Sequence, residues 1–83
     1  MQGMYTLWDA KAEAFSMPFF ADTDNLAVRI FGDSVLKPGT VLNDHPEDFF
    51  LYKVGSWEQS SGKVRGCNPV SIASAKDFVR NKE

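Results

Sequence analysis

His45 and Cys67 each occur once in these 83 residues, and together they bound the chemistry available to the chain. A structural zinc site draws several Cys or His ligands at set spacing, so one of each cannot build it, and no metal or other cofactor is expected. Phosphate-cradling loops need several glycines at fixed offsets ahead of a helix, which no stretch here provides. His45 is the sole base for any Ser/His/Asp arrangement, and no serine stands in a nucleophile elbow. The reading is therefore of a protein that binds and is not an enzyme. Cys67, beside Gly66 at an expected strand end, is expected to be a buried, inert thiol, because a reactive one needs an electropositive, partly open surround. The cluster Asp44-His45-Pro46-Glu47-Asp48 would suit a pH-sensitive or partner-contacting loop, since His titrates near neutrality. Turn chemistry favours the plainer alternative, a turn whose acids cap backbone N–H groups.

Recognition is better served by the aromatic and basic residues. Tyr5, Trp8, Tyr52 and Trp57 with Lys11, Arg29, Lys53, Lys63 and Arg65 could form a face for single-stranded nucleic acid, on whose rings bases stack for ~1–3 kcal/mol each. Within this set Lys53, Trp57, Lys63 and Arg65 are the candidate DNA-binding residues. Lys63 and Arg65 are two apart and share a strand face, and Trp57 lies near them across the expected hairpin. Against this, the aromatics could be core and the lysines a solvated face; Phe15, Phe31, Phe50 and Phe78 are expected in the core. A net charge of −2 and a pI near 5.3 argue against nonspecific, charge-driven binding of nucleic acid, so a DNA role must rest on a local patch.

The elements that would position these residues follow from periodicity. Met4–Asp9 alternates apolar and polar and reads as a strand. Lys11–Phe15 fits either a partner strand or a helical turn, and Pro18 should hold Met17–Phe20 out of regular structure. Asp22-Thr23-Asp24 offers N-cap oxygens ahead of a helix over about 24–36. Its face would be Leu26, Ala27, Ile30, Phe31, Ser34 and Val35, and Lys37-Pro38-Gly39 would end it. Gly32 inside that helix implies close packing. Phe49–Glu58 reads as the longest strand, with Phe50, Tyr52 and Val54 on one face and Phe49, Leu51 and Lys53 on the other. Gln59–Gly62 closes a hairpin with Gly62 in the left-handed region. Lys63–Cys67 returns as its partner, Val70–Ala73 adds a third strand, and Ser74–Asp77 matches a capping box opening a short helix.

The sum is a single α+β domain over 1–83: a small antiparallel sheet packed with one main helix and a short C-terminal one. Its centre is expected to join Ile30 and Phe31 to Leu7, Phe50, Tyr52 and Val54. A hydrophobic share of 43%, with seven Phe, two Trp and two Tyr, gives a small core its material. One cysteine allows no internal disulfide, as suits a reducing compartment. No signal peptide and no apolar run long enough for a membrane is present, so the protein is expected to be soluble and intracellular, with no membrane partner. More large aromatics than one small core readily hides predict a homo-oligomer, most simply a homodimer.

The run His45-Pro46-Glu47-Asp48-Phe49-Phe50-Leu51-Tyr52-Lys53-Val54-Gly55-Ser56-Trp57 resembles the central motif of the small nonstructural proteins of gokushovirus-type microviruses, tailless bacteriophages with circular single-stranded DNA. Tyr5–Phe15 followed by Pro18-Phe19, Ala27–Phe31 and Ala75–Val79 are similar to the same family, in its order and at its length. The resemblance implies a late role in infection, in the host bacterial cytoplasm. That role is to switch replicative-form DNA synthesis toward packaging of the single-stranded genome, by binding viral DNA (single-stranded favoured), viral or host replication proteins, or both. A second reading, from a different class, is a protein-binding adaptor or host-takeover factor with no DNA contact.

Overall fold

Thr23 sets the start of the main helix: in extended backbone, its hydroxyl accepts from the Leu26 N–H at 3.0 Å, satisfying one of the free donors of the first turn. The helix, α1, runs Asp24–Leu36 and is capped by Lys37, with Gly39 taking a positive φ of 87° just beyond. The structure, a computed structural model, describes residues 1–79. A second, four-residue helix α2 (Val41–Asp44), which the sequence did not announce, is capped by the Thr40 hydroxyl. The 3-10 turn Pro46–Asp48 then leads into the sheet, so the expected turn at His45–Asp48 forms.

Five strands make one antiparallel sheet: β1 (Gln2–Asp9), β2 (Ala14–Phe15), β3 (Phe19–Ala21), β4 (Phe49–Trp57) and β5 (Val64–Ser74). The order is β2-β1-β4-β5, with β3 pairing β1 on the same side as β2. A 3-10 turn, Ala75–Phe78, closes the described chain and packs its Phe78 ring edge-on against Phe31. The α+β class is as the periodicities imply.

Several local readings are revised. Phe19 and Phe20, expected outside regular structure with Met17 and Pro18, pair with β1 as part of β3, because Pro18 stands before the strand and removes none of its donors. The open segment at Lys11–Phe15 resolves into a turn with Glu13 at φ 56° and the two-residue β2. The two expected C-terminal strands are one, β5, which stays paired with β4 through register shifts at Leu51/Tyr52 and Lys53/Gly55. Ser74 makes no side-chain cap bond, so the capping box does not form.

The core lies between α1 and one face of the sheet and comprises Tyr5, Ala21, Ala27, Phe31, Val35, Phe49, Leu51 and Ala75, with Leu7, Phe19, Ile72 and Phe78 packed against it. On β4 the expected split of faces holds, but the buried face is the other one: Phe49 and Leu51 face the helix, while Phe50 and Tyr52 do not. Both faces of this strand are apolar, so its alternation separates them without saying which is covered. The sole charge, Lys53, falls on the covered side, where it has a partner. On α1, Leu26 and Ile30 stay about 40% exposed, because the helix buries the narrower stripe Ala27, Phe31, Val35 with Gly32. Gly32 is where the ring of Phe78 sits; a Cβ there would lie 2.6 Å from it, as the close packing inferred for this residue requires.

Candidate nucleic-acid interface

The register of the β4–β5 pair decides where the four candidate residues point. Ser56 is opposite Arg65, and Trp57 is opposite Val64; residues directly opposite across antiparallel strands share a face. Ser56 is also opposite Gly3, and Lys53 opposite Tyr5, which places Arg65 and Lys53 on the helix side of the sheet. Lys63, two residues before Arg65 in extended chain, falls on that side too. Trp57 is on the outer side, its ring 5.5 Å from that of Phe20. The structure therefore brings the three cations onto one face and separates Trp57 from them. Lys53 and Arg65 line one open depression of about 410 Å³ with Met1, Gly55, Ser56, Gly66 and Cys67.

The three cations differ in what they are free to do. The Lys53 ammonium lies 3.3 Å from Asp24 Oδ1 and 5.9 Å over the centre of the Tyr5 ring. Tyr5 is 1% exposed and donates its hydroxyl proton to Asp24. Burial, then the Asp24 carboxylate that accepts from it, pushes the Tyr5 hydroxyl up to about 12. The Tyr5 hydrogen bond, with Lys53 beside it, holds the Asp24 carboxyl below its ordinary value. Lys53 is thus engaged in fastening the first turn of α1 to the sheet. Lys63 and Arg65 are exposed, and neither pairs with a carboxylate among the described residues.

These two cations ride on an arm. Residues 59–71 are exposed throughout, and the molecule is drawn out to 46 × 24 × 19 Å. The hairpin closes as its glycine implied: Gly62, at φ 76°, donates to Glu58 O at 2.8 Å, and Glu58 donates to Lys63 O at 2.9 Å. From residue 59 to residue 76 the chain carries Lys63, Arg65 and Lys76 and no carboxylate. In a protein that is negative overall this stretch is locally cationic, with Glu58 standing opposite Lys63 where the hairpin closes.

Gly55 holds the arm together. A Cβ there would meet the Arg65 carbonyl oxygen at 2.3 Å, so only glycine lets the two backbones approach at this shift of register.

Two other sites read from the sequence come out differently. Cys67 is exposed on the arm, with its sulfur 3.8 Å from Lys53 O, because the depression at this point is open. His45, Glu47 and Asp48 bring their ligating atoms within 4.8 Å of one another at the surface, with His45 Nδ1 3.9 Å from Glu47 Oε2. These groups stand at the surface beside an open depression shared with Asp9, Lys11 and Val41.

The outer face of the sheet is the feature the sequence reading missed. Trp8 pairs with Phe50 and with Phe15, Thr6 with Tyr52, Met4 with Phe20, and Trp57 with Val64, which puts six aromatic rings on the side away from α1. Phe15 sits 4.9 Å from Trp8 and 5.5 Å, edge-on, from Tyr52. Phe15 and Phe50, expected in the core, both lie here, because the apolar content of the chain exceeds what one side of the sheet can cover. The clue was present in β4, whose two faces are both apolar.

No helix among the described residues is long and apolar enough to cross a membrane. No curated protein and no solved structure matches the chain. One family does: residues 2–78 match the sequence model described as "Phage ORF5 protein", and since that span takes in nearly every element above, the chain belongs to this bacteriophage protein family.

Proposed function

We propose that this phage protein is a non-enzymatic DNA-binding accessory that acts late in infection, in the host cytoplasm, to turn replicative-form synthesis toward packaging of a single-stranded genome. The observation that carries the DNA contact is the exposed arm, on which Lys63 and Arg65 have no carboxylate partner among the described residues, the Glu58 carboxylate opposite Lys63 accepting from the Ser61 hydroxyl. Cations so placed neutralise phosphates without reading sequence. An extended hairpin suits a flexible single strand that can follow it. The late role and the microvirus setting rest on the resemblance of His45–Trp57 and the flanking segments to the gokushovirus nonstructural proteins, and membership of the phage family supports them. Two exposed cations make a modest site. Affinity should be weak, salt-sensitive and greater for single strands, with the net charge of −2 opposing approach.

The second reading, a protein-binding adaptor with no DNA contact, is favoured by the outer sheet face, which is apolar and carries no cation on its strands. Fluorescence anisotropy with a labelled oligodeoxynucleotide at low salt separates the two. Charge reversal by Lys63→Glu with Arg65→Glu should abolish binding while the circular dichroism spectrum stays unchanged, since exposed strand charges contribute little to stability. Affinity unchanged by the reversal would remove the arm from the account. No affinity in the parent would favour the adaptor.

A further inference from the structure

The strands of this sheet contain three charged residues, Asp9, Lys53 and Arg65, and the register places all three on the helix side. A sheet with one face on its core normally turns its polar and charged residues outward. Here the outward face holds Trp8, Phe15, Phe20, Phe50, Tyr52 and Trp57 with Met4 and Val64, and its polar residues, Gln2, Thr6, Ser71 and Ser74, are all uncharged. Phe15 is 45%, Phe20 43% and Val64 60% exposed. A second face this rich in aromatic rings and free of charge on its strands calls for a cover of its own.

We propose that the cover is a second copy of the chain, stacked sheet on sheet about a two-fold axis. Charge selects this occupant. Nucleic acid needs cations to meet its phosphates, and the outer face has none on its strands. Two copies of a chain of net charge −2 repel, and in a two-fold contact every charge on the interface risks facing its own like. A face with no charge on its strands removes the second objection, and it adds no local like-charge contact to the first. Area allows it. β1 and β4 are 8 and 9 residues long; at ~3.3 Å per residue and ~4.8 Å between strands the four-strand face covers roughly 500 Å² per copy. The pair would bury about 1,000 Å², the lower bound for a specific interface, as fits a dimer that forms at high micromolar concentration. Sheets stacked in this way sit ~10 Å apart with their side chains interleaved. The interface leaves Lys63 and Arg65 uncovered on the other side, so the assembly does not depend on the DNA reading.

Sedimentation equilibrium over a range of concentrations tests this directly. The parent should reach twice its 9.3 kDa chain mass at high micromolar concentration. Both tryptophans lie on the outer face, so their emission should shift to the red on dilution as the dimer parts. Phe15→Lys and Val64→Lys, each at an exposed position outside the core, should each weaken association by about a hundredfold or more, since a two-fold contact would then confront like charges. Their circular dichroism spectra and unfolding midpoints serve as the check on folding. A parent that stays at 9.3 kDa throughout overturns the proposal, as does one that stays monomeric while single-stranded DNA quenches its tryptophans. A dimer that both variants leave intact overturns it too, since another surface would then hold the copies together.

Discussion

Lys53 shows how a single residue can be legible in type and illegible in role. Its spacing from Lys63 and Arg65 marks it as a cation of the hairpin, and it does line their depression. Its charge, however, is matched by Asp24, the first residue of α1, which also accepts from Tyr5. Nothing in the sequence links positions 5, 24 and 53; only the fold, which lays the helix start across β1 and β4, joins them. The pH behaviour of this trio follows from the direction of the shifts. Asp24 is depressed when folded, so its contribution is present above the ordinary carboxylate range, near pH 4, and is lost as pH falls through the lower folded value. Tyr5 is raised to about 12, so its contribution is intact below ~10, the ordinary tyrosine value, and drains away between there and about 12. Asp24→Asn should therefore flatten the acid limb of a stability-against-pH curve measured by urea denaturation. The effect should be modest, because the Asp24 side chain is 54% exposed and solvent screens it. An acid limb of unchanged steepness would show that other carboxylates control it.

Among the elements, α1 was the most legible: its predicted span of about 24–36 matches the observed Asp24–Leu36, because cap, period and stop signal all agree. The sheet was less so. β4 was placed correctly along the chain but turned over, since alternation between two apolar faces leaves the buried side undetermined, and it is not the longest strand as expected: β5, with 11 residues, exceeds its 9. The bulged β5 was read as two strands because Asn68-Pro69 looks like a break, whereas here Pro69 sits on an edge strand, where a missing donor costs little. Two substitutions probe these junctions. Phe31→Ala removes a ring that is 2% exposed and should cost about 3–5 kcal/mol in urea, enough to leave so small a domain largely unfolded. Gly55→Ala forces a methyl onto the Arg65 carbonyl. It should cost about 1–3 kcal/mol and speed amide exchange in the arm more than in α1. Equal acceleration in both would mean that arm and helix open as one unit.

At the scale of the whole molecule, two surfaces stand apart: the basic arm proposed to meet DNA and the outer aromatic face proposed to meet a second copy. The candidate DNA site was half legible: Lys63 and Arg65 emerge together on an exposed arm, while Trp57, close to them along the hairpin, turns to the opposite face because its partner is Val64 rather than Arg65. A one-residue difference in register separates those outcomes, and sequence alone does not set it. The outer aromatic face was legible only as an excess of aromatics, without a location.

The proposal that the arm binds DNA is tested most directly by the salt dependence of single-stranded DNA affinity. Each phosphate neutralised should add about −0.7 to the slope of log affinity against log salt concentration. The parent should give a straight line with a negative slope of at least two such contacts, and the Lys63→Glu, Arg65→Glu protein should show no measurable binding at the lowest salt. A parent whose affinity does not change with salt, or a double variant that keeps the parent's slope, would contradict the assignment of the arm to DNA.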